Sequence, residues 1–138
     1  MPARLFTLDE ANRLVSRVDA LVERAQATTS QLRDVRDQLV DLRIVWGEKI
    51  DDAACPDYAE YESYLGRFAQ LEADLERTTT EVTTLGCELK DVENGLVDFQ
   101  TKRGADVVYL CWRKGEKRIG WWHSLESGFA GRQPLKTL

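Results

Sequence analysis

Two ladders of apolar residues, spaced alternately four and three residues apart, constrain this chain more than any other feature of its sequence. Nine of the ten ladder positions from Leu14 to Trp46 are apolar, and so are ten of the eleven from Tyr61 to Leu96. This spacing lines up apolar side chains along one face of an α-helix. The ladders therefore predict two long amphipathic helices.

The signals at the ends of the ladders set the predicted helix bounds. Thr7 and Glu10 have the spacing of a capping box, in which each residue satisfies a backbone N–H of the other. The stretch "GEKIDDAACPD" contains glycine, proline and acidic residues, which are typical of a loop. We therefore predict helix 1 at 7–46, a loop at 47–56 and helix 2 at 57–94.

Helices with sustained heptads and a short connection fold back on each other as an antiparallel coil. A reversal about Ala53 sets Thr28 opposite Thr78, the two polar positions of the ladders. Pairing them costs less than placing either one against leucine, because hydroxyls can bond each other or the preceding helical turn. The coincidence favours a hairpin with one polar layer.

The segment 95–138 changes from a helical to a strand pattern. Its runs "LVDFQ", "DVVYLCWR" and "KRIGWWH" are rich in β-branched and aromatic residues and are separated by loops containing glycine. We predict one domain over 1–138, of class α+β and mainly α. It would combine the long helical hairpin with a small C-terminal antiparallel β-meander of about three strands.

An even loop around Lys114 and Gly115 divides the strand residues between two faces of the meander. The predicted core face carries Val108, Leu110, Trp112, Ile119, Trp121 and His123. The predicted opposite face carries Tyr109, Cys111, Arg113, Arg118, Gly120 and Trp122. A three-residue loop would instead move the register and mix the two faces.

Charge divides the chain into two parts. The net charge is −5, yet residues 102–138 carry eight basic and three acidic side chains. The excess of positive charge favours an anionic partner, although attraction between the basic end and the acidic helices explains it equally well. Arginine beside an aromatic ring suits phosphate, carboxylate or a stacked base. The candidate anion- or partner-binding residues are Arg113, Lys114, Lys117, Arg118, Tyr109, Trp122, His123 and Arg132.

No catalytic motif accompanies His123, the only histidine of the chain. A buried structural histidine is one interpretation of it, and catalysis together with Cys111 or Glu126 is the other. The three cysteines are separated by 32 and 24 residues, which matches no zinc pattern and gives no disulfide framework. We therefore predict no catalytic residue, no metal site and no cofactor.

The predicted hairpin tip combines several aromatic and apolar residues with no remaining chain to cover them. Such a surface usually binds a partner. We predict a homodimer or a higher homo-oligomer and leave a different protein partner open. The candidate interface residues are Trp46, Tyr58, Tyr61, Tyr64 and Leu65.

The chain has no apolar run near the ~20 residues of a membrane helix and no apolar stretch of a signal peptide at its start. A cytoplasmic location without membrane attachment is the expectation.

Four segments resemble a known family: "LFTLDEAN" at the start, "GLVDF" at 95–99, "VVYLCWRKGEKRIGWWH" at 107–123 and "GFAGRQPL" at 128–135. They are similar to a small bacterial family catalogued as domain of unknown function 2203. The resemblance implies a bacterial cytoplasmic protein with the same two-part layout, and it leaves the function open.

The sequence thus favours a non-enzymatic oligomeric interaction or scaffold protein. The alternative is binding of an anion, a nucleotide or a nucleic acid through the basic aromatic sheet.

Overall fold

Two helices and a five-stranded antiparallel sheet make up the part of the chain that the computed structural model describes, residues 4–138. Helix α1 spans Leu8–Trp46 and helix α2 spans Tyr58–Leu85. Between them the chain reverses through a 3-10 turn, Gly47–Asp51, and a short loop. The antiparallel helical hairpin predicted from the two ladders is confirmed.

The sheet follows the helices, and each strand pairs with the next along the chain. In order, strands β1 to β5 span Glu88–Asp91, Leu96–Arg103, Asp106–Arg113, Trp121–Ser124 and Gln133–Pro134. The α+β fold class with a C-terminal meander is confirmed. The three predicted strands correspond to β2, β3 and β4, and one short strand is added at each edge of the sheet.

Strand β1 lies where the second helix was predicted to continue to residue 94. Helix α2 ends instead at Leu85, and Gly86 follows with a φ of +99°. Glycine takes this left-handed conformation without the steric cost that a side chain adds, so it ends the helix. Leu89 continues the apolar ladder but lies in β1 opposite Val97. Val92, the next position of the ladder, lies in the turn before β2.

The predicted faces of the meander are wrong for three residues of β4. Its partners on β3 are Tyr109 for His123 and Leu110 for Trp122, because seven residues rather than an even two-residue turn connect the strands. A shift of one residue moves each side chain to the opposite face. Trp122 therefore joins the core, and His123 and Trp121 lie on the other face.

The chain divides into two compact units, the described residues up to Gln26 with Thr78–Leu138, and Ala27–Arg77. The first unit has a core built by the start of α1, the end of α2 and the inner face of the sheet. It includes Phe6, Ala11, Val15, Val18, Leu21, Val22, Val82, Cys87, Val97, Phe99, Val108, Leu110, Trp112, Ile119 and Trp122. This packing fixes the sheet on one face and leaves the other face for the site described below.

The second unit is the helical hairpin of Ala27–Arg77, with Val35, Ile50 and Leu71 as its buried apolar residues. Two polar contacts hold its turn. The two terminal guanidinium nitrogens of Arg43, Nη1 and Nη2, donate to the Asp51 carboxylate, at 2.8 and 2.9 Å. Neither helix of the described chain has an apolar stretch long enough to cross a membrane.

The predicted polar layer remains a prediction. Thr28 and Thr78 are both buried, at 8% and 0% exposure, and each belongs to a different unit.

Candidate functional site

The outer face of the sheet brings together four side chains from three adjacent strands. Asp98 of β2 pairs with Cys111 of β3, and Tyr109 of β3 pairs with His123 of β4. Directly opposite residues place their side chains on the same face. Asp98, Cys111 and His123 are 4%, 1% and 2% exposed, so water reaches none of them freely.

Both ring nitrogens of His123 have a partner. Nδ1 lies 2.7 Å from the backbone carbonyl oxygen of Ser124, and Nε2 lies 3.1 Å from Oδ1 of Asp98. A carbonyl oxygen only accepts, so Nδ1 carries a proton and donates it. The ring is thereby fixed with Nε2 directed at the carboxylate.

Burial raises the pKa of Asp98 above its ordinary value, while the neighbouring His123 and then Lys90 act in the opposite direction. Loss of water disfavours the charged carboxylate, and positive charge nearby favours it. A hydrogen bond with the Cys111 thiol also lowers the pKa. The charge of the Asp98 carboxyl therefore depends on the positive charge and the hydrogen bonds that its neighbours provide.

The Cys111 thiol is held in its neutral form. Burial, followed by the negative charge of Asp98, raises its pKa to about 12. An activated nucleophilic cysteine needs the reverse, a lowered pKa and an adjacent base. Here the carboxylate of Asp98 contacts both the thiol and the imidazole, whereas in a cysteine nucleophile site the imidazole contacts the thiol. The geometry therefore does not favour Cys111 and His123 as a catalytic pair.

A cavity of about 150 Å³ opens over this cluster. Its wall is mainly apolar and comes from β2 and from the loop after β4, through Leu96, Leu125, Gly128 and Phe129. Leu125 is 52% exposed, so the loop covers the cavity only in part. A small molecule or ion has a path to the buried polar atoms.

Lys90 lies at the rim of this cavity with its charge already paired. Its Nζ is 2.6 Å from Oε2 of Glu88 and 4.9 Å from the centre of the Tyr109 ring. The Tyr109 hydroxyl donates to the same Glu88 carboxylate at 3.3 Å. Tyr109 is buried, and both its hydroxyl and its ring are engaged by Glu88 and Lys90.

The structure disperses the predicted anion-binding residues. Trp122 is in the core, where its Nε1–H donates to the hydroxyl of Thr137 at 2.9 Å. Arg132 is half-buried, is paired with Glu116 at 2.7 Å, and has its guanidinium 4.7 Å from the centre of the Trp121 ring. These two residues do not meet on one surface.

The remaining predicted cations lie at the end of β3 and in the loop after it. Lys114 forms an ion pair with Asp19 of α1. Arg113 is exposed, with its guanidinium 5.6 Å from the centre of the Phe129 ring. Lys117 and Arg118 are exposed.

The predicted interface residues of the second unit are mostly engaged within it. The Trp46 Nε1–H donates to Asp57 at 2.8 Å, and the Tyr61 hydroxyl accepts from Arg43 at 2.8 Å. The hydroxyls of Tyr58 and Tyr64 donate to glutamates of the same helix, Glu62 and Glu60. Leu65 is exposed, at 45%.

Sequence reasoning missed Asp98 as a site residue. A signal was present, because Asp98 stands between Val97 and Phe99 in a strand where all three side chains are buried. A carboxyl in the middle of an apolar strand is rarely buried unless it is paired. Its partners come from other strands, and only the register reveals them.

One family model matches the chain over residues 4–135, and its description is "Uncharacterized conserved protein (DUF2203)". No curated protein and no solved structure gives a significant match. The matched range covers nearly the whole sequence and includes both helices, the sheet and the buried cluster. The chain belongs to the DUF2203 family.

Proposed function

We propose that this protein is a non-enzymatic interaction module that acts as a homodimer, with the second copy bound at the hairpin tip. The observation that carries the proposal is the exposure of large apolar side chains there. Ile44 is 75% exposed, Val45 70%, Val40 48% and Leu65 45%. Exposed apolar groups that cluster in this way usually mark an interaction surface.

Helical spacing places part of this set on one surface. Val40 and Ile44 are four residues apart on α1 and therefore share a face. Leu65 lies one turn beyond Tyr61, whose hydroxyl contacts Arg43, so the antiparallel register sets Leu65 near the level of Val40. These three residues form the tip patch.

The charges around the tip patch suit a second copy of the same chain. A two-fold axis near Leu42 would run the two α1 helices antiparallel and place Arg36 of one copy near Glu48 of the other. Both side chains are exposed, and the symmetry forms this ion pair twice. A two-fold contact of hairpins gives a four-helix arrangement, a common way for such helices to bury excess apolar surface.

Hydrogen bonds within the second unit also support the use of its tip as a binding surface. The contacts of Trp46 and Tyr61 connect the two sides of the turn, and those of Tyr58 and Tyr64 lie within α2. A surface on a preorganised element loses less entropy on binding than a mobile one.

Ile44→Glu tests the proposal. The substitution puts a charge in the tip patch, and a charge buried without a partner opposes association. We expect light scattering with size-exclusion chromatography to give a dimer for the natural chain and a monomer for Ile44→Glu, with unchanged circular dichroism. Leu138→Glu is the matched control, because it changes an exposed apolar residue of the other unit in the same way.

A monomeric mass for the natural chain at micromolar concentration would overturn the proposal. A dimer that survives Ile44→Glu would remove the tip patch as the interface.

The second candidate function, anion or nucleic-acid binding, keeps a smaller set of residues. Arg113, Lys117 and Arg118 are exposed. A shallow depression of the first unit is lined by Asp9, Asn12, Arg13 and Arg118. Nucleic-acid binding through these cations would lose affinity steeply as the salt concentration rises. Titration of RNA, single-stranded DNA and nucleotides at low salt, followed by tryptophan fluorescence, decides between the two functions.

A further inference from the structure

We infer that Asp98, Cys111 and His123 form a binding site for one divalent transition-metal ion, with Zn²⁺ as the best fit. The three side chains offer a carboxylate oxygen, a sulfur and an imidazole nitrogen, all within 4.8 Å of one another and all buried. This inference is independent of the dimer, because the site lies wholly in the first unit.

The hydrogen bonds of His123 provide the first step. Nδ1 donates its proton to the carbonyl oxygen of Ser124, so a neutral ring presents the lone pair of Nε2 to Asp98. A lone pair and a carboxylate oxygen 3.1 Å apart repel unless a proton or a cation lies between them. Metal-binding histidines usually donate their second N–H to a backbone carbonyl or a carboxylate in this way.

The distances allow a metal ion as well as a proton. With bonds of about 2.0 to 2.3 Å in a tetrahedron, two ligand atoms of zinc lie about 3.3 to 3.7 Å apart. The separation of 3.1 Å between Nε2 and Oδ1 is close to this range. A small movement of the side chains would complete the geometry.

The presence of sulfur selects the class of metal. Thiolate and imidazole favour zinc and similar transition metals, whereas Mg²⁺ and Ca²⁺ require sets of oxygen ligands. Binding of the ion releases the proton of the Cys111 thiol. The carboxylate and the resulting thiolate together carry two negative charges, which a divalent ion neutralises in this buried site. The cavity above the cluster leaves a fourth position open to water or to a small ligand.

A simple ion pair between Asp98 and His123 is the competing explanation. That pair would hold the two strands together by itself. It gives no reason for a thiol directed at the same carboxylate, or for a cavity that leads to it. The metal site accounts for all three groups and for the opening.

Cobalt titration of untagged protein tests the inference, since the chain has no other histidine. The protein is stripped with a chelator, kept reduced, and titrated with Co²⁺. We expect a sulfur-to-cobalt charge-transfer band in the near ultraviolet and the visible absorption of tetrahedral Co²⁺, both saturating at one ion per chain. Added Zn²⁺ should abolish both signals, and added Mg²⁺ should leave them unchanged.

Variants then assign the ligands. Cys111→Ser should remove the charge-transfer band and weaken Co²⁺ binding by at least about 100-fold, since the loss of supporting groups alone costs 10- to 100-fold. Asp98→Asn and His123→Gln should weaken binding to a similar degree. Cys55→Ser is the control, because it removes a thiol of the other unit, and it should titrate like the natural chain.

The natural chain decides the outcome even if a variant fails to fold. Absence of both absorption signals, at Co²⁺ concentrations well above that of the protein, would overturn the inference. A charge-transfer band that persists at full strength in folded Cys111→Ser would overturn it too.

Discussion

At the scale of single residues, burial separates the three cysteines chemically. Cys87 and Cys111 are buried, and desolvation raises the pKa of the Cys87 thiol to about 11. A thiol is nucleophilic only as the thiolate, so a raised pKa makes it slow to react. We expect a disulfide reagent at pH 8 to modify one thiol per native chain quickly and three after unfolding in urea. Cys55→Ser should remove the fast reaction, and fast modification of a second thiol would contradict the assignment.

The face of the sheet on which each side chain of the meander lies could be predicted only within a single strand. Val108, Leu110 and Trp112 were correctly predicted in the core, because a single strand fixes the alternation of its own side chains. Trp122 and His123 were exchanged between faces, because their placement depends on the length of the loop before them. The site could not be predicted for the same reason, because Asp98, Cys111 and His123 come from three strands whose register the sequence does not define.

At the scale of elements, Gly86 determines where helix α2 ends. Its φ is +99°, and a Cβ added there would lie 2.8 Å from Cβ of Arg4 and 3.3 Å from the Phe6 ring. Gly86→Ala should therefore destabilise the protein by roughly 2 kcal/mol, from the strained conformation and the close contacts. Chemical denaturation measures the change.

Gly66→Ala is the matched control for this prediction. Gly66 lies inside α2, and an added Cβ meets no atom within 4 Å. Alanine is the better helix former by about 1 kcal/mol, so this variant should gain stability. Equal effects of the two substitutions would contradict the role given to the left-handed conformation of Gly86.

The existence of the elements could be predicted more reliably than their ends. A ladder of apolar residues gives a strong helical signal, and α1 ends at Trp46 as predicted. The same ladder continues through Leu89, where the chain is a strand. A single apolar residue that faces a core fits the helical period as well as the strand period, so the ladder does not show where the helix ends. Short edge strands such as β1 and β5 owe their structure to pairing with a neighbour and have little pattern of their own.

At the scale of the whole molecule, apolar burial differs between the two units. Among the described residues, the second unit has three buried apolar side chains, Val35, Ile50 and Leu71. Most of the buried apolar residues, including Phe99 and Trp112, belong to the first unit. Local stability follows the amount of apolar surface removed from water. The hairpin of the second unit is therefore expected to open more easily than the first unit.

Hydrogen exchange measures this difference and connects it to the proposed dimer. Backbone amides of residues 32–44 should exchange faster than those of residues 14–24 in the same helix, because the latter lie over the core of the first unit. Association at the tip patch would slow exchange in 32–44, so the contrast should be greatest in the Ile44→Glu variant. Equal protection of both segments in that monomer would contradict the assignment of most stability to the first unit. Unequal protection that does not change between the natural chain and Ile44→Glu would instead argue against the tip patch as the interface.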